Sequence, residues 1–218
     1  MAKQEFKPVF INNVVTPGGR LSFPHLAKPD SVGKYPDGKF KGTFLFPMKD
    51  GQFPGLKKAD MSRLKKAVLD CISESWPGQQ LGINDLAHNP FRKGDDKPEL
   101  VGYEGTILIT AKTKNRPQCV YRDKATIDVE DVSSELYGGV NCRAVLTVMS
   151  YEMSNKPGIT FLLETVQKLS DSERFGASGN GAAALDALDD DDEDLLGGGD
   201  DEDLLGGGDE DGMGGLLD

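Results

Sequence analysis

Apolar residues recur with two periods along the first 176 positions of the chain and with neither over the rest. Lys39 to Pro47, KFKGTFLFP, sets Phe40, Gly42, Phe44 and Phe46 against Lys39, Lys41, Thr43 and Leu45, the alternation of a half-buried strand. Arg20 to Lys28 alternates Leu21, Phe23 and His25 with Arg20, Ser22 and Pro24, and its proline assigns that strand to an edge or a bulge. Tyr103 to Lys112 sets Ile107 and Ile109 against Thr106, Leu108 and Thr110. Val140 to Tyr151 and Gly158 to Leu169 read as two long strands joined through Ser154–Gly158 as a hairpin. Cys119 to Asp123 suits a short strand entering a turn, and Val9 to Val15 an N-terminal strand or arm. Only Leu56 to Trp76 has the helical period: Met61, Leu64, Ala67, Val68, Cys71, Ile72 and Ser75 recur at steps of three and four, and Pro77-Gly78 ends the run. Gln79 to Leu100 is irregular and reads as a long surface loop.

Five or six strands with one helix between the early and late ones predict a mostly β chain. The expected fold is an OB-fold Greek-key barrel with one inserted amphipathic helix. Residues 1–176 are long enough for one domain with a full core. No apolar run approaches the length of a membrane span, and the N-terminus, MAKQEFKPVF, lacks the apolar region of a signal peptide. A cytoplasmic protein without membrane contact is expected.

The charge changes the picture. Residues 177–218 carry fifteen acids, no Lys, Arg or His and no aromatic residue. Asp191 to Gly199 repeats almost at once as Asp200 to Gly208, and a degraded third copy starts at Asp209. Such a segment cannot build a core, so it reads as a disordered acidic Asp/Leu/Gly-repeat tail. Of the net charge of −11, the tail supplies −15, which leaves residues 1–176 at about +4. A mildly basic body with an acidic leash points to an anionic ligand and a second task for the leash. Leu195, Leu196, Leu204, Leu205, Leu216 and Leu217 are the apolar anchors that such a leash offers to a protein partner.

Catalytic patterns are thin. No GxxxxGK[ST], H-E-x-x-H or GxSxG occurs, and the body's carboxylates sit in turns and polar loops. The spacing of Cys71, Cys119 and Cys142 matches no zinc or redox motif, and His25 and His88 have no ligand at metal spacing. No cofactor, metal site or catalytic residue is expected; turn and cap use of the acids outweighs a paired-carboxylate nuclease. What the body does contain is cations interleaved with aromatics: Lys34, Tyr35, Lys39, Phe40 and Lys41; Lys112, Lys114, Arg116, Tyr121, Arg122 and Lys124; Arg143, Tyr151 and Lys156. Single-stranded nucleic acid calls for this pairing, because cations follow phosphates while flat side chains stack on exposed bases at ~1–3 kcal/mol each. Lys112, Lys114, Arg116, Arg122 and Arg143 are the expected phosphate contacts, with Lys41 in the first cluster; Tyr121, Tyr151 and Tyr35 are the expected stacking residues. Lys112 to Arg122 contains no acid and is the expected phosphate track.

Leu21-Ser22-Phe23-Pro24-His25-Leu26-Ala27-Lys28-Pro29-Asp30, the strand ending in a Pro-x-Lys-Asp turn at Phe44 to Asp50, the helix around Leu64 to Cys71, Ala111-Lys112-Thr113-Lys114-Asn115-Arg116-Pro117, Tyr137-Gly138-Gly139-Val140-Asn141-Cys142-Arg143-Ala144 and the run from Gly158 to Lys168 form an ordered set. That set resembles the bacteriophage single-stranded DNA-binding proteins, in a domain-of-unknown-function branch related to the T7-type proteins. The resemblance implies an oligonucleotide-binding barrel and sequence-independent binding of single-stranded DNA in phage replication, recombination and repair, without enzymatic activity, in the host cytoplasm. It also implies a tail that competes with DNA for the basic cleft and contacts the phage DNA polymerase, helicase/primase or recombination proteins. Tails in this group often finish with an aromatic residue, whereas this one finishes Leu216-Leu217-Asp218. The sequence leaves the oligomeric state open, a homodimer included. A protein-interaction adaptor, whose acidic tail binds basic partners or mimics DNA, is the alternative reading.

Overall fold

In a computed structural model that describes residues 6–31 and 36–176, the elements run β1 (Phe10–Val15), β2 (Gly19–His25), β3 (Phe40–Pro47), α1 (Ser62–Ser75), β4 (Arg92–Lys93), β5 (Thr106–Thr113), β6 (Gln118–Val120), α2 (Val132–Glu135), β7 (Asn141–Met153) and β8 (Lys156–Ser170). β2 pairs with β3, β3 with β5, β5 with β8, β8 with β7, and β7 back with β2. These five strands therefore close into a ring, the Greek-key barrel of the OB fold. Its one parallel seam is β5 on β8, through Ala111↔Phe161 and Lys112↔Leu162. Outside the ring β1 adds to β7, β6 to β8 and β4 to β5. Among the described residues no helix is long and apolar enough to cross a membrane.

The inward positions of the alternating runs fill the barrel: Phe44, Phe46, Ile109, Ala111, Leu146, Val148, Phe161 and Leu163 are buried. α1 packs on β1 and β7 with the predicted stripe, Leu64, Ala67, Val68, Cys71 and Ile72. It begins at Ser62 rather than Leu56. The preceding residues are held in other bonds: the Ala59 amide donates to the Pro47 carbonyl, the Lys58 amide to Asp50 Oδ1, and the Ser62 amide to Asp60 Oδ1. The β7–β8 hairpin turns on Ser154 and Asn155 alone, both at positive φ (52° and 60°), as a two-residue turn matched to strand twist.

Three further departures from the sequence pattern bear on function. Leu45 and Leu108, on the face expected to be polar, are buried with Phe53 and Tyr103 in a second, smaller cluster outside the barrel. Arg20 is buried against the Phe53 and Phe175 rings and Ser22 under the Tyr103 hydroxyl, while Phe23 is 57 % exposed because a register shift between Ser22 and His25 and a φ of 46° at Phe23 turn that side chain out of the alternation. Pro24 thus marks a bulge on a strand inside the ring rather than an edge. The stretch expected as one loop, Gln79 to Leu100, contains β4 and two 3₁₀ turns, and Arg92 and Lys93 pair with Leu108 and Ile107.

The three cysteines are free and buried. Burial pushes the Cys119 thiol up to about 11 and raises those of Cys71 and, furthest, Cys142. Since the thiolate is the reactive form, a thiol reagent at pH 8 is expected to modify none of the three in the native protein and all three in denaturant. Rapid labelling of native protein, followed by mass spectrometry, would contradict this packing.

Candidate nucleic-acid interface

The outward residues of β3 and β5 form a face that is covered at one end and open at the other. Leu45 and Leu108 lie under Phe53 and Tyr103 at the covered end. At the open end Thr43 and Thr110 are cross-strand partners, with hydroxyls 3.1 Å apart, and beyond them Lys41 stands directly opposite Lys112. Lys41 is held by the buried carboxylate of Asp30 and lies 3.8 Å from Asp37. Lys112 is freer, its Nζ 3.9 Å from Asp37 Oδ2. Two lysines side by side repel, and Asp30 on Lys41 with Asp37 near both offsets that repulsion.

β5 and β8 pair for only two residues, Ala111 and Lys112, and on the N-terminal side of that pairing they stand apart and leave a hollow of about 260 Å³ lined by His88, Arg92, Thr110 and Thr160 among others. Arg92, brought in by β4, donates from Nη2 to Thr110 Oγ1 at 2.6 Å, which aims its guanidinium along the face. Phe91 fixes the loop by packing its ring against Phe161, 6.0 Å between centroids. On β7 and β8 the same outward face continues through Leu162 and Thr160 to Tyr151, whose ring lies where a side chain on its partner Gly158 would be. In an OB fold the second and third barrel strands and the two flanking loops bind oligonucleotides. Here those strands are β3 and β5, and the described parts of the flanking loops are residues 26–31 and 36–39 and the Ser154–Asn155 turn.

The family model for the ssDNA-binding protein of Enterobacter phage Enc34 matches residues 12–196. The chain belongs to that family. It is also similar to protein p50 of Acyrthosiphon pisum secondary endosymbiont phage 1, with 28% identity over 85% of this chain and 97% of that one. Among solved structures, the C-terminally truncated Enc34 single-stranded DNA-binding protein aligns with 25% identity and a TM-score of 0.54, over 77% of this chain and 88% of that one. The same phage protein in complex with ssDNA aligns with 23% identity and a TM-score of 0.56, over 78% and 89%.

In this Enc34-family chain the structure brings together only part of the set expected from sequence. Lys41, Lys112 and Tyr151 lie on the open outer face. Lys114 and Arg116 are exposed in the link from β5 to β6; the Arg116 guanidinium stacks 5.7 Å from the Phe40 ring centroid and donates to the Ala27 carbonyl. Tyr121 and Arg122 line a separate hollow with Asp123 and Asp171. Burial, and then Glu135 and Asp131, push the Tyr121 phenol up, so its surroundings are acidic. Arg143 lies further along the barrel, its Nε on Gln167 Oε1 at 2.7 Å. Tyr35 and Leu195, Leu196, Leu204, Leu205, Leu216 and Leu217 lie outside the described residues. Arg92, which the open face also presents, was not among the expected residues; it sits in a stretch without periodicity. No group of three or more His, Cys, Asp or Glu among the described residues is arranged to hold a metal ion.

Proposed function

We propose that this chain is a sequence-independent, non-enzymatic single-stranded DNA-binding protein of phage DNA replication, recombination and repair. The observation that carries the reading is the open β3–β5 face, where Lys41 and Lys112 stand in register beside Arg92 and lead to the Tyr151 ring. Cations there neutralise phosphates and the tyrosine stacks on a base, a combination that tolerates any sequence. Membership of the Enc34 family and the likeness to a barrel solved with ssDNA support it. In this reading residues 1–176 are the DNA-binding domain. Residues 177–218 compete with DNA for its cations and, once displaced, offer their Asp-Leu-Leu units to replication proteins, with the tether setting a high effective concentration.

The test is a titration of labelled oligo-dT and of a duplex of equal length, across a salt series, with the full chain and with a chain lacking 177–218. The single strand is expected to bind more tightly than the duplex, with affinity falling steeply as salt rises, and the deletion is expected to keep or strengthen binding. Equal binding of both DNAs at every salt concentration would refute the single-strand reading. Loss of all binding on deletion would favour the adaptor.

A further inference from the structure

A second groove, of about 430 Å³, opens on the far stretch of the outer surface. Arg63 of α1, Lys124 and Arg143 line it over an apolar floor that includes Val15 and Val145, with Gln118 at its side. No acid and no aromatic residue is among its lining residues, and none of the three cationic head groups is in an ion pair among the described residues. The buried amide of Gln167 organises it. Its Oε1 accepts from Arg143 Nε, and its Nε2 donates to the carbonyls of Tyr121 (3.1 Å) and Arg122 (3.0 Å), fixing the turn that carries Lys124. One side chain thereby sets two of the three cations.

Strand β8 leads from the open face to the groove. Lys112 pairs with Leu162 and Gln118 with Thr165 on the same strand, β8. Three residues of strand separate these points, about 10 Å; the one acid on that stretch, Glu164, accepts from the Thr147 hydroxyl. The link between them, Lys112 to Gln118, contains Lys114 and Arg116 and no acid. We infer that a single DNA strand lying on the β3–β5 face continues past Lys114 and Arg116 into the Arg63–Lys124–Arg143 groove, which takes its phosphodiester backbone without stacking its bases. The inference rests on the single-strand reading above. It adds a second subsite to it, one that a strand of the length usual for an OB fold, about 4–16 nucleotides, can reach. An acidic peptide is the other anion of suitable form; the shared strand β8, leading from the face already read as taking DNA, favours DNA.

The test compares wild type with the Arg63→Gln/Lys124→Gln variant on dT oligomers of about 5 and about 16 nucleotides, lengths within the usual range for this fold. Both side chains are exposed, so the melting temperature serves as a check that the fold is kept. The short oligomer is expected to bind both proteins within about twofold. The long one is expected to bind the variant about thirtyfold more weakly, with a salt slope smaller by about 1.4, that is, about 0.7 for each phosphate left without its cation. Unchanged binding of the long oligomer, or equal weakening on both lengths, overturns the proposal. So does a variant that keeps the long oligomer but no longer binds a poly-aspartate peptide that wild type binds, since the groove then serves peptide. If wild type binds neither oligomer, the single-strand reading itself fails, a result separate from all of these.

Discussion

Lys112→Gln combined with Arg92→Gln is expected to weaken binding of a dT oligomer about thirtyfold at moderate salt. Each neutralised phosphate contributes about 0.7 to the slope of log affinity against log salt, so at about 0.1 M salt two of them contribute about 1.4 log units, roughly twenty-five- to thirtyfold. The slope of log affinity against log salt should shrink by about 1.4, because two fewer phosphates are neutralised. These two residues are chosen over Lys41 because Lys41 holds the carboxylate of Asp30, which is 6 % exposed, so its removal would disturb the fold as well as the face. Lys112 stands on the outer side of β5, and Arg92 is anchored through Thr110 Oγ1. Their replacement should therefore leave the thermal transition unchanged. Fluorescence anisotropy at several salt concentrations measures both quantities; an unaltered slope would remove the β3–β5 face from the DNA path.

Leu45→Ala is expected to destabilise the protein by about 3 kcal/mol, in the range for truncating a buried leucine, and to lower Tm by roughly 6–12 °C for a domain of this size. Strand alternation alone places Leu45 beside Lys41 and Thr43 on the polar side, where truncation would cost almost nothing. In the fold Leu45 is fully buried against Phe53, Tyr103 and Leu108. A calorimetric scan decides between the two: a Tm within a degree of wild type would show that residues 48–56 and 94–105 do not cap this end of the face. The cap matters for function because it limits the open surface to the Lys41–Lys112 end.

The barrel strands were legible because each has one face that must avoid water, and period two survives in Phe40 to Phe46 and in the β7–β8 hairpin. The capped patch was not legible. Leu45 and Leu108 are single apolar residues in polar positions, and what buries them comes from loops, which carry no period. The helix boundary was misplaced for a related reason: Leu56 to Asp60 has helix-compatible residues, but its amides are committed to Pro47 and Asp50. Lys41, Lys112 and Tyr151 could be put forward because cations and aromatics in strands are visible one at a time. That Arg143 lies with Arg63 and Lys124, residues distant in sequence, depends on how β7, α1 and the turn after β6 are folded together, and no linear pattern encodes it. Phe23 was hidden by its own alternation, which a bulge reverses.

The closed ring also dictates an order of assembly. The β7–β8 hairpin is local and can form within about 1–10 μs of its turn being available. β2 and β3 can pair early too, but Gly19 of β2 finds its other partner only in Cys142, and Ala111 of β5 waits for Phe161. On a ribosome adding about 5–20 residues per second, the inward side chains of β2 and β3, Leu21, Phe44 and Phe46, emerge roughly ten seconds before β8 can seal them in. Nascent chains of this protein therefore pass through a period in which a half-built sheet shows its apolar side to the cell, and a chaperone that holds such surfaces would bind the growing chain but not the finished barrel.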